Sequence, residues 1–262
     1  MLNFPHIKPY IVKIGPLQVR WYGLMYLAGF AASYYLVKKQ IIRKKLNITG
    51  EDLESLYFYI VLGLILGARL GYVVFYNLPY YLSNPLDIFA VWHGGMSFHG
   101  GLIGVIAAGI IFSARKGIRL LQIGDLVTAT APIGLMCGRI GNFINGELYG
   151  RVTSVPWAMV FPGGGNVPRH PSQLYEAFFE GPVLFVILWF MKDRVRHDGM
   201  VVGLFLVFYG IIRFIIEFFR EPDAQLGLII GPFSMGQLLS TAMIIGGGAF
   251  MVIIKRRSPA NN

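Results

Sequence analysis

The stretch Phe233–Ile254, FSMGQLLSTAMIIGGGAFMVII, carries no ionisable side chain from end to end and is followed at once by Lys255, Arg256 and Arg257. A helix needs about 20 predominantly apolar residues to cross a hydrocarbon core roughly 30 Å thick, and this stretch supplies them. A second block, Gly94–Ala114 (GGMSFHGGLIGVIAAGIIFSA), has His99 as its only ionisable residue, and a third runs from Trp21 to Val37. Over 262 residues the chain is 55% hydrophobic and 14% charged, against about 45–50% and about 25% in soluble domains. Its 20 Phe and 14 Tyr exclude a disordered polar chain. The composition reads as an all-α polytopic membrane protein.

Working outward from these blocks, hydropathy predicts seven transmembrane helices in a single membrane domain, 1–262. They fall at about 19–37, 55–76, 96–114, 122–143, 172–191, 199–219 and 234–254. The net charge of +10 is not a nucleic-acid signal, because the basic residues do not interleave with aromatics on a soluble face. Fourteen of the 23 Lys and Arg stand in four clusters, Lys38 to Lys45, Arg115 to Arg119, Lys192 to Arg196 and Lys255 to Arg257. These clusters follow spans one, three, five and seven. The positive-inside rule then puts that side in the cytoplasm, the N-terminus outside and the C-terminus inside. The start of the chain lacks a cleavable leader pattern, so the first block is expected to stay as an anchor. Residues 144–171, dense in Gly and Pro, are expected to form a small periplasmic cap with a short strand within Trp157 to Phe161. The one cysteine, Cys137, reads as buried filler.

The informative residues are those that hydrocarbon excludes. Arg69, Arg139, Arg213 and Glu217 each cost several kcal/mol in a bilayer unless paired or hydrated. Tyr209, Arg213 and Glu217 recur at i, i+4 and i+8, which places them on one helix face, and Arg139, Asn142 and Asn145 step by three, followed by Glu147. With His99 and Tyr22 at the starts of their spans, these groups are expected to line an outward-facing polar cavity. Arg213 and Glu217 also read as a structural i,i+4 pair. Arg69 reads either as functional or as a brace among Gly63, Gly67 and Gly71.

Several motifs resemble the bacterial prolipoprotein diacylglyceryl transferase family. They are Arg20–Tyr26 (RWYGLMY), Gly95–Gly101 (GMSFHGG), Gly138–Gly150 (GRIGNFINGELYG), Arg169–Glu176 (RHPSQLYE), and Tyr209, Arg213 and Glu217–Arg220 (EFFR). The resemblance implies a seven-span enzyme of the bacterial inner membrane, multi-pass, with its active site toward the periplasm. It implies transfer of the sn-1,2-diacylglyceryl group of phosphatidylglycerol to the lipobox cysteine thiol of prolipoproteins, forming a thioether and releasing glycerol 1-phosphate. His99, Arg139, Arg213, Glu217 and Tyr22 are then the expected catalytic residues. Arg139, Asn142, Asn145, Glu147, Gly150, Tyr209 and Arg213 are the expected binding residues for the lipid headgroup and lipobox. The implied partners are phosphatidylglycerol, prolipoprotein signal peptides and membrane lipids, with a monomeric enzyme, no nucleic acid, no metal and no cofactor.

Such a reaction is displacement at an sp3 carbon, so the charge to be met builds on a departing phosphate, and paired guanidinium groups suit it. The nucleophile is a thiol with an ordinary pKa of about 8.5, so a base or a cationic field is needed. His99 is one candidate base; Glu147 or a tyrosine orienting the thiol beside arginine is another. The rival class is an anion transporter, which needs polar residues through the full depth. Here Asp125 is the main ionisable group in the cytoplasmic halves.

Overall fold

The computed structural model describes residues 2–5, 7–14, 17–221, 228–231 and 233–257. They are mostly helical and fall into two compact units, Met1–Val37 with Asp125–Asn262, and Lys38–Gly124. In chain order the elements are β1 (Leu2–Asn3), β2 (Tyr10–Ile14), β3 (Leu17–Arg20), α1 (Trp21–Arg43), α2 (Gly50–Tyr76), α3 (Leu78–Ser83) and α4 (Phe98–Lys116). There follow α5 (Leu120–Thr128), α6 (Ala131–Asn145), β4 (Met159–Val160), α7 (Ser172–Phe178), α8 (Leu184–Met191), α9 (Met200–Ile216), β5 (Leu228–Ile230), β6 (Phe233–Ser234) and α10 (Met235–Arg257).

Among the described residues, four helices are long and apolar enough to cross a membrane: α2, α4, the run Ser172–Met191, and α10. The bent pair α5 and α6 makes a fifth if counted as one span, and α9 is a shorter apolar helix. Large apolar side chains on these helices face outward rather than into the protein; Phe75 is 80% exposed and Ile245 68%. Water would penalise such surfaces at roughly 25 cal/mol per Å2, whereas lipid tails do not. The chain is a multi-pass membrane protein.

The helices depart from the hydropathy blocks in four places. Helix α1 continues to Arg43, so Lys38, Lys39 and Arg43 ride on the helix rather than after it. The fourth block is broken, with α5 and α6 meeting at 46°. The break is held by Thr130, whose buried hydroxyl donates to the Val127 carbonyl (2.8 Å) and accepts from Ser33 on α1 (2.6 Å). The fifth block contains a wide π turn, Phe179–Val183, around Pro182, which lacks the N–H that a tight turn would use. The sixth helix stops at Ile216 and leaves Glu217 at its C-cap.

In the unit Lys38–Gly124, α2 and α4 pack backbone to backbone. A Cβ on Gly71 would stand 2.7 Å from Gly100 Cα, one on Gly63 2.7 Å from Ala108 Cβ, and ones on Gly67 and Gly104 would meet the carbonyls of Gly100 and Gly63. Small residues at every fourth position are what permit such an approach between apolar helices. The pair is tied at its other end by Lys116 to Asp52 (2.8 Å), while Thr49 and Asp52 form a reciprocal cap on α2.

In the other unit, Ala129 from the break before α6, Leu184 and Leu188 from α8, and Val201 and Leu204 from α9 form a core. The expected strand within Trp157 to Phe161 is β4, paired in parallel with β1. Asp125 is a helix cap: its carboxylate accepts from the backbone N–H groups of Gly199 (2.8 Å) and Val202 (3.0 Å) at the start of α9. That satisfies two orphan donors and sets a negative charge against the positive end of the helix. Asp125→Ala is expected to cost about 1–2 kcal/mol, and Asp125→Asn less, read as the thermal unfolding midpoint in detergent.

Candidate active site

The site lies in the unit Met1–Val37 with Asp125–Asn262, and it is built around buried charges from three helical segments. Arg139 comes from α6, Arg213 from α9, Glu217 and Arg220 from the residues just past α9, and two carboxylates, Glu176 and Glu180, from α7 and the π turn after it. Glu176 and Glu180 are fully buried. One oxygen of Glu176, Oε2, accepts from both Arg213 Nη1 (2.6 Å) and Arg139 Nη2 (2.9 Å). Its other oxygen stands 3.5 Å from Arg220 Nε. Glu180 reaches the same two arginines at 3.4 Å each, Oε2 toward Arg139 Nε and Oε1 toward Arg213 Nη1. Glu217 Oε2 pairs with Arg213 Nη2 (3.1 Å) and Arg220 Nη1 (3.4 Å). Three guanidinium groups thus meet three carboxylates, a balanced set that a low-dielectric site can hold.

The surrounding backbone makes room for this set. Glu217 accepts from the Ser234 hydroxyl (3.0 Å), and its carboxyl group stands 2.6 Å from where a Cβ on Gly236 would be, so glycine at that position of α10 leaves it room. Gly181 in the π turn has φ −94° and ψ −107°, and a Cβ on it would stand 2.7 Å from Met136 Cβ on α6. The widened turn and the missing Cβ together bring Glu176 and Glu180 against α6.

A second polar group adjoins α6 at its C-terminal end. Glu147 Oε1 accepts from Asn142 Nδ2 (2.9 Å) and Asn145 Nδ2 (3.1 Å), and its carbonyl accepts from Gln173 Nε2 (2.6 Å). The Tyr22 ring fills the space a side chain on Gly141 would need, and its hydroxyl is 3.1 Å from that of Tyr26. Tyr209 stacks on Phe205. Gly150 donates to the His170 carbonyl (2.8 Å), while Arg151 donates from N–H to Phe219 (2.9 Å) and from Nε to the carbonyl of Arg220 (2.8 Å). A Cβ on Gly150 would strike the Phe219 carbonyl and stand 2.8 Å from His170 Cβ, so the residue must be glycine for residues 150–151 to seat against the end of α9. Burial lowers the His170 imidazole below its ordinary value. The ring is held by Tyr175, whose hydroxyl takes the indole N–H of Trp157 (2.6 Å) and lies 3.0 Å from His170 Nδ1.

Of the residues expected from the sequence, the structure brings together Arg139, Arg213 and Glu217 in one cluster, and Asn142, Asn145 and Glu147 in one hydrogen-bonded group. His99 belongs to the other unit, exposed in the first turn of α4 behind the Ser97 cap. Cys137 is buried, as expected of filler. Sequence reasoning missed Glu176 and Glu180 as members of the cluster. The signal was present: two carboxylates four residues apart inside a span must find cations.

A family model described as prolipoprotein diacylglyceryl transferase matches residues 9–253. The chain belongs to the prolipoprotein diacylglyceryl transferase family. It is 57% identical over 256 residues to the phosphatidylglycerol--prolipoprotein diacylglyceryl transferase of Geobacter sulfurreducens, covering 98% of both chains. It is 55% identical over 252 residues to the protein of that name from Pseudoalteromonas translucida, covering 96% of this chain and 94% of the other. The protein of that name from Bordetella avium is 53% identical over 260 residues, with 98% of each covered. For this family member the charge cluster makes a direct prediction. Glu176→Ala leaves Arg139 and Arg213 adjacent without their shared carboxylate, and is expected to cost about 3–5 kcal/mol, measured as loss of thermal stability in detergent. Gly150→Ala is expected to lift residues 150–151 off the end of α9, read as newly gained protease cleavage within residues 150–170.

Proposed function

We propose that this chain transfers the sn-1,2-diacylglyceryl group of phosphatidylglycerol to the lipobox cysteine thiol of a prolipoprotein. It works as a monomer in a bacterial inner membrane, spanning it seven times, with the N-terminus outside, residues 144–171 as a periplasmic cap and the site toward the periplasm. The observation that carries the reading is the shared oxygen of Glu176, which holds Arg139 and Arg213 side by side before any substrate arrives.

In the reaction the cysteine sulfur attacks the sn-3 carbon of the glycerol that bears the acyl chains. The carbon–oxygen bond to phosphate breaks and its electron pair stays on the departing glycerol 1-phosphate. Phosphate charge therefore rises from one negative toward two as the bond breaks. Arg139 and Arg213, whose side chains keep 19% and 12% exposure, supply hydrogen bonds that strengthen with that charge. Their fixed orientation means that little reorganisation accompanies the step. Glu217 aligns Arg213. Asn142, Asn145 and Glu147 form the polar patch to which the headgroup and the lipobox are assigned, with Tyr22, Gly150 and Tyr209 as further binding or catalytic residues. His99 takes the thiol proton.

The transporter reading is weakened by Asp125, whose carboxylate is occupied in capping α9 rather than lining a path. The test uses purified protein in detergent with phosphatidylglycerol and a lipobox peptide. The expected product is a thioether-linked diacylglyceryl peptide with one glycerol phosphate released per peptide, and none with the cysteine replaced by alanine. Arg139→Lys and Arg213→Lys are each expected to lower kcat by about 100-fold. Equal product from the alanine peptide, or no product from the cysteine peptide, contradicts the assignment.

A further inference from the structure

Arg69 is the most deeply buried arginine among the described residues, and its partners are of a different kind. It lies on α2 in the unit Lys38–Gly124, 5% exposed, and every N–H it owns is directed at a backbone carbonyl. Nε donates to Ile88 (2.8 Å), Nη2 to Asp87 (2.5 Å) and Ala90 (3.3 Å), and Nη1 to Gly94 (2.6 Å) and Gly95 (3.1 Å). The Tyr81 ring covers the guanidinium at 5.2 Å. One side chain thus gathers five carbonyls from the irregular stretch between α3 and α4. Gly94 and Gly95 both take positive φ, +85° and +77°, to turn their carbonyls to the same nitrogen, and a Cβ on Gly95 would stand 2.9 Å from that nitrogen.

Immediately downstream, Ser97 donates its N–H to the carbonyl of Ala68, the neighbour of Arg69 (2.9 Å), and its hydroxyl caps α4 by accepting from Gly100 N–H (3.2 Å). Adjacent residues of α2 therefore grip the chain on both sides of Met96. His99 stands two residues beyond Ser97, and the next residue, Gly100, is locked against Gly67 and Gly71.

We infer that Arg69 is a positioning residue for His99, fixing the stretch 87–97 so that the first turn of α4 presents the imidazole in one place. The inference rests on the reading of His99 as the proton acceptor. Lysine cannot substitute, since an ammonium offers three donors from one point rather than five from a planar fork.

The test compares full-length wild type, Arg69→Met, Arg69→Lys and His99→Asn in detergent, with phosphatidylglycerol and a lipobox peptide, measuring kcat and KM across the pH range around the ordinary histidine value of about 6.5. Arg69→Met is expected to lose at least about tenfold in kcat, with KM for the lipid within about twofold and the acid limb of the pH–rate profile displaced or flattened. Arg69→Lys is expected to behave in the same way. A purely structural role lowers the active fraction equally at every pH and leaves the limb where it was, and that result overturns the inference, as does wild-type kcat in Arg69→Met. If Arg69→Met does not purify as folded protein, Arg69→Lys is read by the same criteria. Wild-type turnover and an unchanged acid limb in His99→Asn remove the proton-acceptor reading, and the positioning role with it. Loss of activity in His99→Asn alongside an unaltered Arg69→Met profile removes the positioning role alone.

Discussion

Two arginines cannot be buried side by side unless something negative stands between them, and in this protein that is Glu176, one oxygen of which takes both, with Glu180 reaching both from farther off. Like charges repel strongly where the dielectric is low, and a shared carboxylate offsets that repulsion. The surrounding architecture follows from meeting that condition. The π turn around Pro182 and the absent Cβ of Gly181 bring the carboxylates against α6, Gly236 makes room for Glu217, and Gly150 lets Arg151 seat on the carbonyls past α9. The cluster is neutral as a whole, so the helices that carry it remain compatible with a bilayer.

Arginine is used in two physically distinct ways. In the Glu176 cluster the guanidinium groups are paired with carboxylates and retain partial exposure, which leaves them able to meet a further anion. At Arg69 the donors are directed at backbone carbonyls, which leaves none for a ligand. The contrast separates a group available for chemistry from one that shapes a loop, and burial alone would not have drawn that line, since both kinds are largely enclosed.

Much of this was legible in the sequence. The apolar blocks coincide with α2, α4 and α10 apart from a few residues at their ends, because a helix in lipid must satisfy its backbone internally and show apolar side chains outward. Arg139, Arg213 and Glu217 stood out because charges in such blocks need partners. What hydropathy could not supply was geometry that depends on contacts distant in sequence. The break at Thr130 is held by Ser33, the cap at Gly199 by Asp125, and the requirement for glycine at position 150 by the Phe219 carbonyl. The pairing of Glu176 and Glu180 with Arg139 and Arg213 is of the same kind, since the partners come from different helices far apart in the chain. The two readings of Arg213 with Glu217, structural pair and functional group, are not alternatives: the pair exists, and it is one edge of a larger set.

In the proposed reaction Arg139 and Arg213 together receive the phosphate of the lipid. The most direct measurement is an experimental structure of the full chain in nanodiscs containing phosphatidylglycerol. Headgroup phosphate oxygens are expected within hydrogen-bond distance, about 2.7–3.2 Å, of both guanidinium groups, with Glu176 still between them. A headgroup bound elsewhere, with both arginines engaged only by Glu176, Glu180 and Glu217, would contradict it.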